Sequence, residues 1–197
     1  MTATTLSSEL EAINVMLAAC DEAPVASTAL TGLYPLDNAR AILSETSRVV
    51  QSTGWKFNTE YEYPLSRDLN DNIPLPPGML KVDVDNKWTK VDPVQRGSRL
   101  YDAKDHSYVF DENLTATVVF LLPWDDLPQS ARHYITIRAA RTMQGRSSVA
   151  DTTYRYSADD EQVAYLALSG DEAEAGDANM LNDSWDVAQI VYGRSMW

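Results

Sequence analysis

A chain of 197 residues with 44% apolar and 23% charged residues is long enough to bury one sizeable core, and its composition argues against disorder as its default state. Its formal net charge of −13 argues against a grip on a nucleic-acid backbone, because binding of that kind rests on Lys and Arg displacing counterions. The acidity is uneven: residues 1–54 carry −4, 55–123 carry −3, 124–155 carry +2 and 156–197 carry −8.

The opening "MTATTLSSELEA" has no Lys or Arg and no apolar core of signal-peptide length, and the longest apolar run, "VVFLLPW" from Val118 to Trp124, is too short to span a bilayer. These features predict a protein kept in a cytosol-like compartment, without membrane contact, unless it leaves within an assembly. One cysteine, Cys20, provides neither a disulfide framework nor a zinc-ligating pair.

The first helix is predicted from a Ser7 or Ser8 cap through "ELEAINVMLAACDE", with Glu9 and Glu11 favoured by the helix dipole and Leu10, Ile13 and Leu17 on one face. The second is predicted to start at Asp37 as cap and to run through Val50, with Gly54 as its left-handed stop. From Trp55 to Pro123 the period changes. "KFNTEYEYPL" and "GMLKVDVD" alternate, "RLYDAKDHSYVF" reads as two short strands around a polar turn, and "LTATVVFLL" is a β-branched strand. The expectation is a β-rich insertion of four to six strands with outer loops around Leu69–Gly78 and Lys87–Gly97.

The third helix is expected to be capped by Asp125 or Asp126, to tolerate Pro128 in its first turn and to end at Gly145. A fourth helix follows from Ser157 through Leu181, with Asp159, Asp160 and Glu161 in its first turn. Residues 182–197 read as an arm carrying Trp185, Ile190, Val191, Tyr192, Met196 and Trp197, which either fold back on their own helices or anchor in a partner's pocket.

Chemical motifs are sparse. Paired carboxylates serve glycosidases, but adjacent Asp125 and Asp126 before a proline are the signature of a cap. His133 lies among Arg132 and Arg138, where a surface role is expected. His106 neighbours Asp102 and Asp105, residues that form hairpin turns as readily as metal sites. "DLNDNIPLPPGM" opens like a calcium loop but places Ile73 at the glycine position and Met79 at the closing glutamate. Phosphate-binding, serine-hydrolase, dinucleotide and zinc-protease motifs are all absent from the sequence. The expectation is a non-enzyme with no cofactor or metal. The rivals are a polysaccharide-degrading enzyme using Asp105, Asp125 or Asp126, and a nucleic-acid-binding module. Arg132, Arg138, Arg141 and Arg146 face an acidic fourth helix, so these charges can pair within one chain or between neighbours.

The blocks "ELEAINVMLAACDEAPV", "NARAILSETSRVVQSTGWKFN", "YVFDENLTATVVFLLPWDDLPQSARHYITIRAARTMQGR" and "GDANML", collinear over about residues 9–183, resemble the tail tubular protein A family of T7-like podophages, the adaptors between portal and tail. The resemblance implies an α+β fold: an antiparallel helical bundle from residues 1–54 and 124–181, a β-rich insertion at 55–123 between the second and third main helices, and an extended C-terminal arm at 182–197. It implies a structural virion protein, assembled in the host cytoplasm, whose dodecameric ring joins the portal to a nozzle resembling tail tubular protein B. DNA would pass through that ring during ejection without sequence-specific binding. The portal contact falls to the arm. The ring faces fall to Arg132, Arg138, Arg141 and Arg146 against Asp159, Asp160, Glu161, Asp171, Glu172 and Glu174, and the nozzle contacts to Asp71, Asn72, Pro76, Pro77, Lys87, Trp88, Gln95 and Arg96. A head-to-tail ring needs two different complementary faces on each subunit.

Overall fold

The computed structural model describes residues 6–30, 32–85, 90–146 and 156–183, with side chains to residue 175 in the last helix. Its elements are α1 (Glu9–Ala18), α2 (Tyr34–Gln51), β1 (Thr59–Leu65), β2 (Met79–Val84), β3 (Pro93–Arg96), β4 (Arg99–Asp102), β5 (Leu114–Phe120), α3 (Gln129–Arg146) and α4 (Ala158–Asp183). The fold is mixed α+β with antiparallel sheets. The chain divides into two compact units, one of Met1–Thr46 with Leu127–Trp197 and one of Ser47–Asp126.

In the first unit the helix starts are fixed by side-chain caps. Ser8 and Glu11 exchange reciprocal hydrogen bonds at the head of α1, and Ser157 and Asp160 do the same at the head of α4. α1 ends four residues before the predicted point because Asp21 takes a left-handed φ of 58°, where the Cys20, Asp21 and Glu22 amides close back on Leu17 and Ala18. α2 begins three residues before Asp37, whose own N–H donates to Leu33 O at 2.9 Å. Asp37 therefore lies in the first turn, paired with Arg40 at 3.2 Å. α3 begins at Gln129, after a separate 3-10 turn over Trp124–Asp126. The paired aspartates thus do not cap it, and Pro128 precedes the helix, its carbonyl accepting from the Arg132 amide. Gly145 lies inside the last turn of α3 and does not end it.

α3 contacts both α1 and α4, and its buried Ala131, Ile135, Ala139 and Met143 recur at the three- and four-residue spacing of one helix face. Ile13, Met16 and Leu17 of α1, Leu36, Ile42 and Leu43 of α2 and Ala164 and Leu168 of α4 are buried with them. Leu10, expected on the buried face of α1, is half-exposed. The Ser7 amide and hydroxyl meet the Gln129 side chain at 2.9 and 2.8 Å, which ties the head of α1 to that of α3.

The second unit holds a three-stranded sheet in the order β1-β5-β2 and the hairpin β3-β4. β5 is central because "LTATVVF" buries Leu114, Ala116, Val118 and Val119. Leu65, Ile73, Leu75, Met79, Leu100 and Phe110 extend that core to both sheets. β3 lies within the predicted 87–97 loop: a four-residue strand that opens with proline has almost no propensity of its own and forms by pairing with β4. The second strand expected in "RLYDAKDHSYVF" reduces to one bridge between Asp102 and Ser107, since His106 turns at a φ of 53°.

Two buried amides clamp the ends of this unit. Gln51 accepts from the Leu122 amide at 2.7 Å and donates to the Leu122 carbonyl at 3.1 Å. Asn58 accepts from the Trp55 amide at 2.9 Å and donates to the carbonyls of Gln51 and Phe120 at 2.9 and 2.7 Å. Gly54 turns between them at a φ of 82°, where an added Cβ would stand 3.1 Å from Val119 Cγ2. Asn58→Ala removes three side-chain hydrogen bonds to the backbone, leaving the Gln51 carbonyl only the Gly54 amide at 3.1 Å, and should cost about 3 kcal/mol. Urea denaturation checks this, with exposed Glu60→Ala as the near-neutral control.

Candidate functional site

Among the described residues no group of three or more His, Cys, Asp and Glu is placed to hold a metal, and no helix is long and apolar enough to cross a membrane. Asp125 and Asp126 lie exposed on their 3-10 turn, and His133 is exposed on α3. A glycosidase acid works from a desolvated pocket, and these two aspartates lie exposed. Asp102 is 2% exposed and fully engaged. Burial opposes its ionisation, but N–H donors from Asp92 and Lys104, each at 2.9 Å, and from Asp105 outweigh this and hold its carboxyl below the usual range. It organises the β3-β4 base and is not presented as a ligand.

The predicted arginines each find partners within their own unit. Arg138 and Arg141 converge on Glu161 of α4, and Arg138 also donates to the Tyr134 hydroxyl at 2.9 Å. Together with Thr142, Gln144 and Tyr156 they line a cleft of about 460 Å³. Arg146 grips Glu45 through two nitrogens at 2.8 and 3.0 Å, and that bidentate hydrogen bond lowers the Glu45 pKa and raises that of Arg146. Arg132 is a correction to the expected ring face. It is 4% exposed and donates to the Leu127 and Ser7 carbonyls at 2.9 Å each, so it is an internal brace.

Of the acids expected on a ring face, Glu161 is engaged in the arginine cluster and Asp160 in the α4 cap, where hydrogen bonds from Ser157 lower its pKa. Asp159, Asp171 and Glu174 are exposed and Glu172 is half-buried. Between them α4 exposes Val163 and Leu166, at 67% and 57%. Acids dominate the sequence of α4 and mask these two apolar positions. Trp185, Ile190, Val191, Tyr192, Met196 and Trp197 lie outside the described residues, as do Lys87 and Trp88.

In the second unit Asp71 has a φ of 58° and pairs with Arg67 at 3.0 Å, while Asn72 closes a turn on Asp68. That turn satisfies the Asp68 carboxylate with backbone amides, in place of a calcium loop. Pro76 and Pro77 lead into β2 through Gly78, and Gln95 and Arg96 lie on β3. Arg99, Tyr101 and Tyr108, absent from the predicted site, form one group with Arg96: Arg96 lies over Tyr101, Arg99 over Tyr108, and the two rings meet edge to face. Their signal was present as two arginines flanking a Gly-Ser turn.

The geometry is one of surfaces and internal braces, and the comparison with known families agrees with it: the tail tubular protein family matches residues 10–178. The chain belongs to the tail tubular protein family. It is therefore a structural component of a virus tail, as the resemblance of its helix blocks to T7-like phage proteins implied. No curated protein matched the chain. In a tail tubular protein the residues of interest are those on the exposed faces, and the buried polar groups serve to shape them.

Asp102 tests that division of labour. Its folded pKa lies below the unfolded value, so its contribution is present above the ordinary carboxylate range and is lost as pH falls through the lowered value. Asp102→Asn should lower stability at neutral pH by about 2 kcal/mol. The gap to the parent should narrow below about pH 4, as read from denaturation at several pH values.

Proposed function

We propose that this tail tubular protein is the head-to-tail adaptor: an antiparallel helical bundle carrying a β-rich insertion and a C-terminal arm, closed into a dodecameric ring between portal and nozzle. The observation that carries this reading is the family match over residues 10–178, which includes all four helices through most of α4 and the whole β-rich segment. Subunits assemble in the host cytoplasm, and in the virion the ring lines the channel through which DNA is ejected. The surplus acidity of residues 156–197 supports that passage, because like charge avoids counterion-releasing contacts with DNA.

One ring face is α4, which exposes Val163 and Leu166 together with Asp159, Asp171 and Glu174 along its length. Arg138, Arg141 and Arg146 keep 37%, 45% and 52% of their side chains exposed, enough to receive a neighbour's carboxylate in addition to their own. The arm, 182–197, reaches the portal through Trp185, Ile190, Val191, Tyr192, Met196 and Trp197. The insertion loops meet the nozzle.

Electron microscopy of the protein mixed with its cognate portal should show a ring stacked on the portal, and a portal without added density overturns the adaptor reading. Deletion of residues 182–197 should abolish portal capture in a pull-down. Leu166→Asp, which places a charge in the apolar strip of α4, should leave the monomer folded by circular dichroism and reduce ring yield at least about tenfold.

A further inference from the structure

The β3-β4 hairpin stands out in an acidic chain. From Lys90 to Lys104 four bases accompany two acids, and one of those acids, Asp102, is buried on its own backbone donors. Arg96 and Arg99 are direct cross-strand partners on either side of a two-residue turn whose first residue, Gly97, has a φ of 62°. Like charges at directly opposed positions destabilise a hairpin, so the pair is not there for the strand's own benefit.

The two guanidinium groups each lie over an aromatic ring. Arg96 Cζ lies 3.6 Å from the Tyr101 ring centre and Arg99 Cζ lies 4.2 Å from that of Tyr108, and the two rings meet edge to face at 4.9 Å. Stacking occupies the planar faces and leaves the N–H edges for an anion. Among the described residues neither guanidinium has an ion-pair or hydrogen-bond partner. The arrangement is a preorganised pair of forks with no occupant among the described residues.

The adjoining surface is apolar and rigid. Leu69 is fully exposed at the tip of a turn locked by Asp68 Oδ1, which accepts from the Asn70 and Asn72 amides at 2.8 and 3.0 Å. The Asp71 carbonyl accepts from the Phe110 amide at 2.9 Å, which brings this turn beside exposed Val109. The same segment pairs with β4 through Ile73 and Leu75, so loop and hairpin are one body. Arginine and tyrosine are the residues enriched in protein-binding hot spots, and Leu69 and Val109 add exposed apolar area for a partner to cover. A phosphate backbone would use the arginines but has nothing to place against Leu69, and the net charge of −13 opposes it.

We infer that the β3-β4 hairpin with the Leu69 turn docks a protein segment presenting neighbouring carboxylates beside an apolar side chain: Arg96 and Arg99 clamp the carboxylates, and Leu69 and Val109 take the apolar contact. This deepens the reading that the insertion loops meet another tail protein, and rests on it for the partner's location, while the chemistry of recognition stands on the hairpin.

The test titrates the full chain with a peptide of Glu, Asp and Leu residues, and in parallel with its Gln, Asn and Leu counterpart and with oligothymidylate, observing the Arg96 and Arg99 Nε–H and Leu69 methyl signals by NMR. The acidic peptide should shift all three, more weakly as salt rises. Arg96→Ala/Arg99→Ala should lose at least about tenfold in affinity, and Arg96→Lys/Arg99→Lys, which keeps charge without the stacked fork, should lose part of it. Equal shifts from the neutral peptide, stronger binding of oligothymidylate, or unchanged affinity in the alanine variant overturns the inference. A nozzle pull-down with the same variants separates the two readings. Nozzle capture that survives the alanine variant, with no peptide binding, sinks the inference and keeps the adaptor. Peptide binding at the arginines with no nozzle capture by the parent keeps carboxylate recognition and removes the nozzle as its target.

Discussion

The paired amides of Gln51 and Asn58 are the constraint on which the second unit depends. The chain enters that unit along the last turn of α2 and leaves it after β5, and these two side chains satisfy backbone groups of both segments at once. A buried carbonyl or amide without a partner is costly, so the entry and exit strands can separate only by orphaning several such groups together. The β1-β5-β2 sheet is thereby closed at its root, and the loops that carry exposed side chains project from a fixed base.

A second theme is the allocation of arginines. In the first unit, Arg132 braces the α1 and α3 starts through carbonyls, Arg138 and Arg141 share Glu161, and Arg146 takes Glu45. These contacts leave α4 with acids in excess and with an exposed apolar strip. Exposed ion pairs stabilise little by themselves, so their consequence is geometric: they fix the orientation of the charged side chains they join. In the second unit Arg96 and Arg99 are held by tyrosine faces in place of carboxylates, which preserves their capacity to bind an anion. The two units thus differ in what they display: the first exposes acids on α4, and the second carries two arginines with no carboxylate partner among the described residues.

Much of the helical architecture was legible in the residues. Ser8 and Ser157 announced α1 and α4 because a cap is a local interaction, complete within four residues. The β-branched run of β5 and the left-handed Gly54 were legible for the same reason. The C-terminal end of α1 and the start of α3 were not, because Asp21 adopts a conformation usually left to glycine and because the Asp125-Asp126 pair, a good cap by composition, went instead to a separate 3-10 turn. β3 had no local signal at all. Its strand exists because β4 supplies the hydrogen bonds that its polar, proline-led sequence cannot attract alone.

By itself the sequence determined the helix positions, the acidic balance and, through collinear blocks, membership of the tail tubular family, all of which reside in short-range patterns and their order. Only the tertiary structure decided which arginine meets which carboxylate, that Arg132 is buried, that Arg96 and Arg99 stack on tyrosines, and that Val163, Leu166 and Leu69 are exposed. Those outcomes depend on contacts between residues distant in the chain. Their energies are small differences between desolvation and pairing, and residue type alone does not carry them.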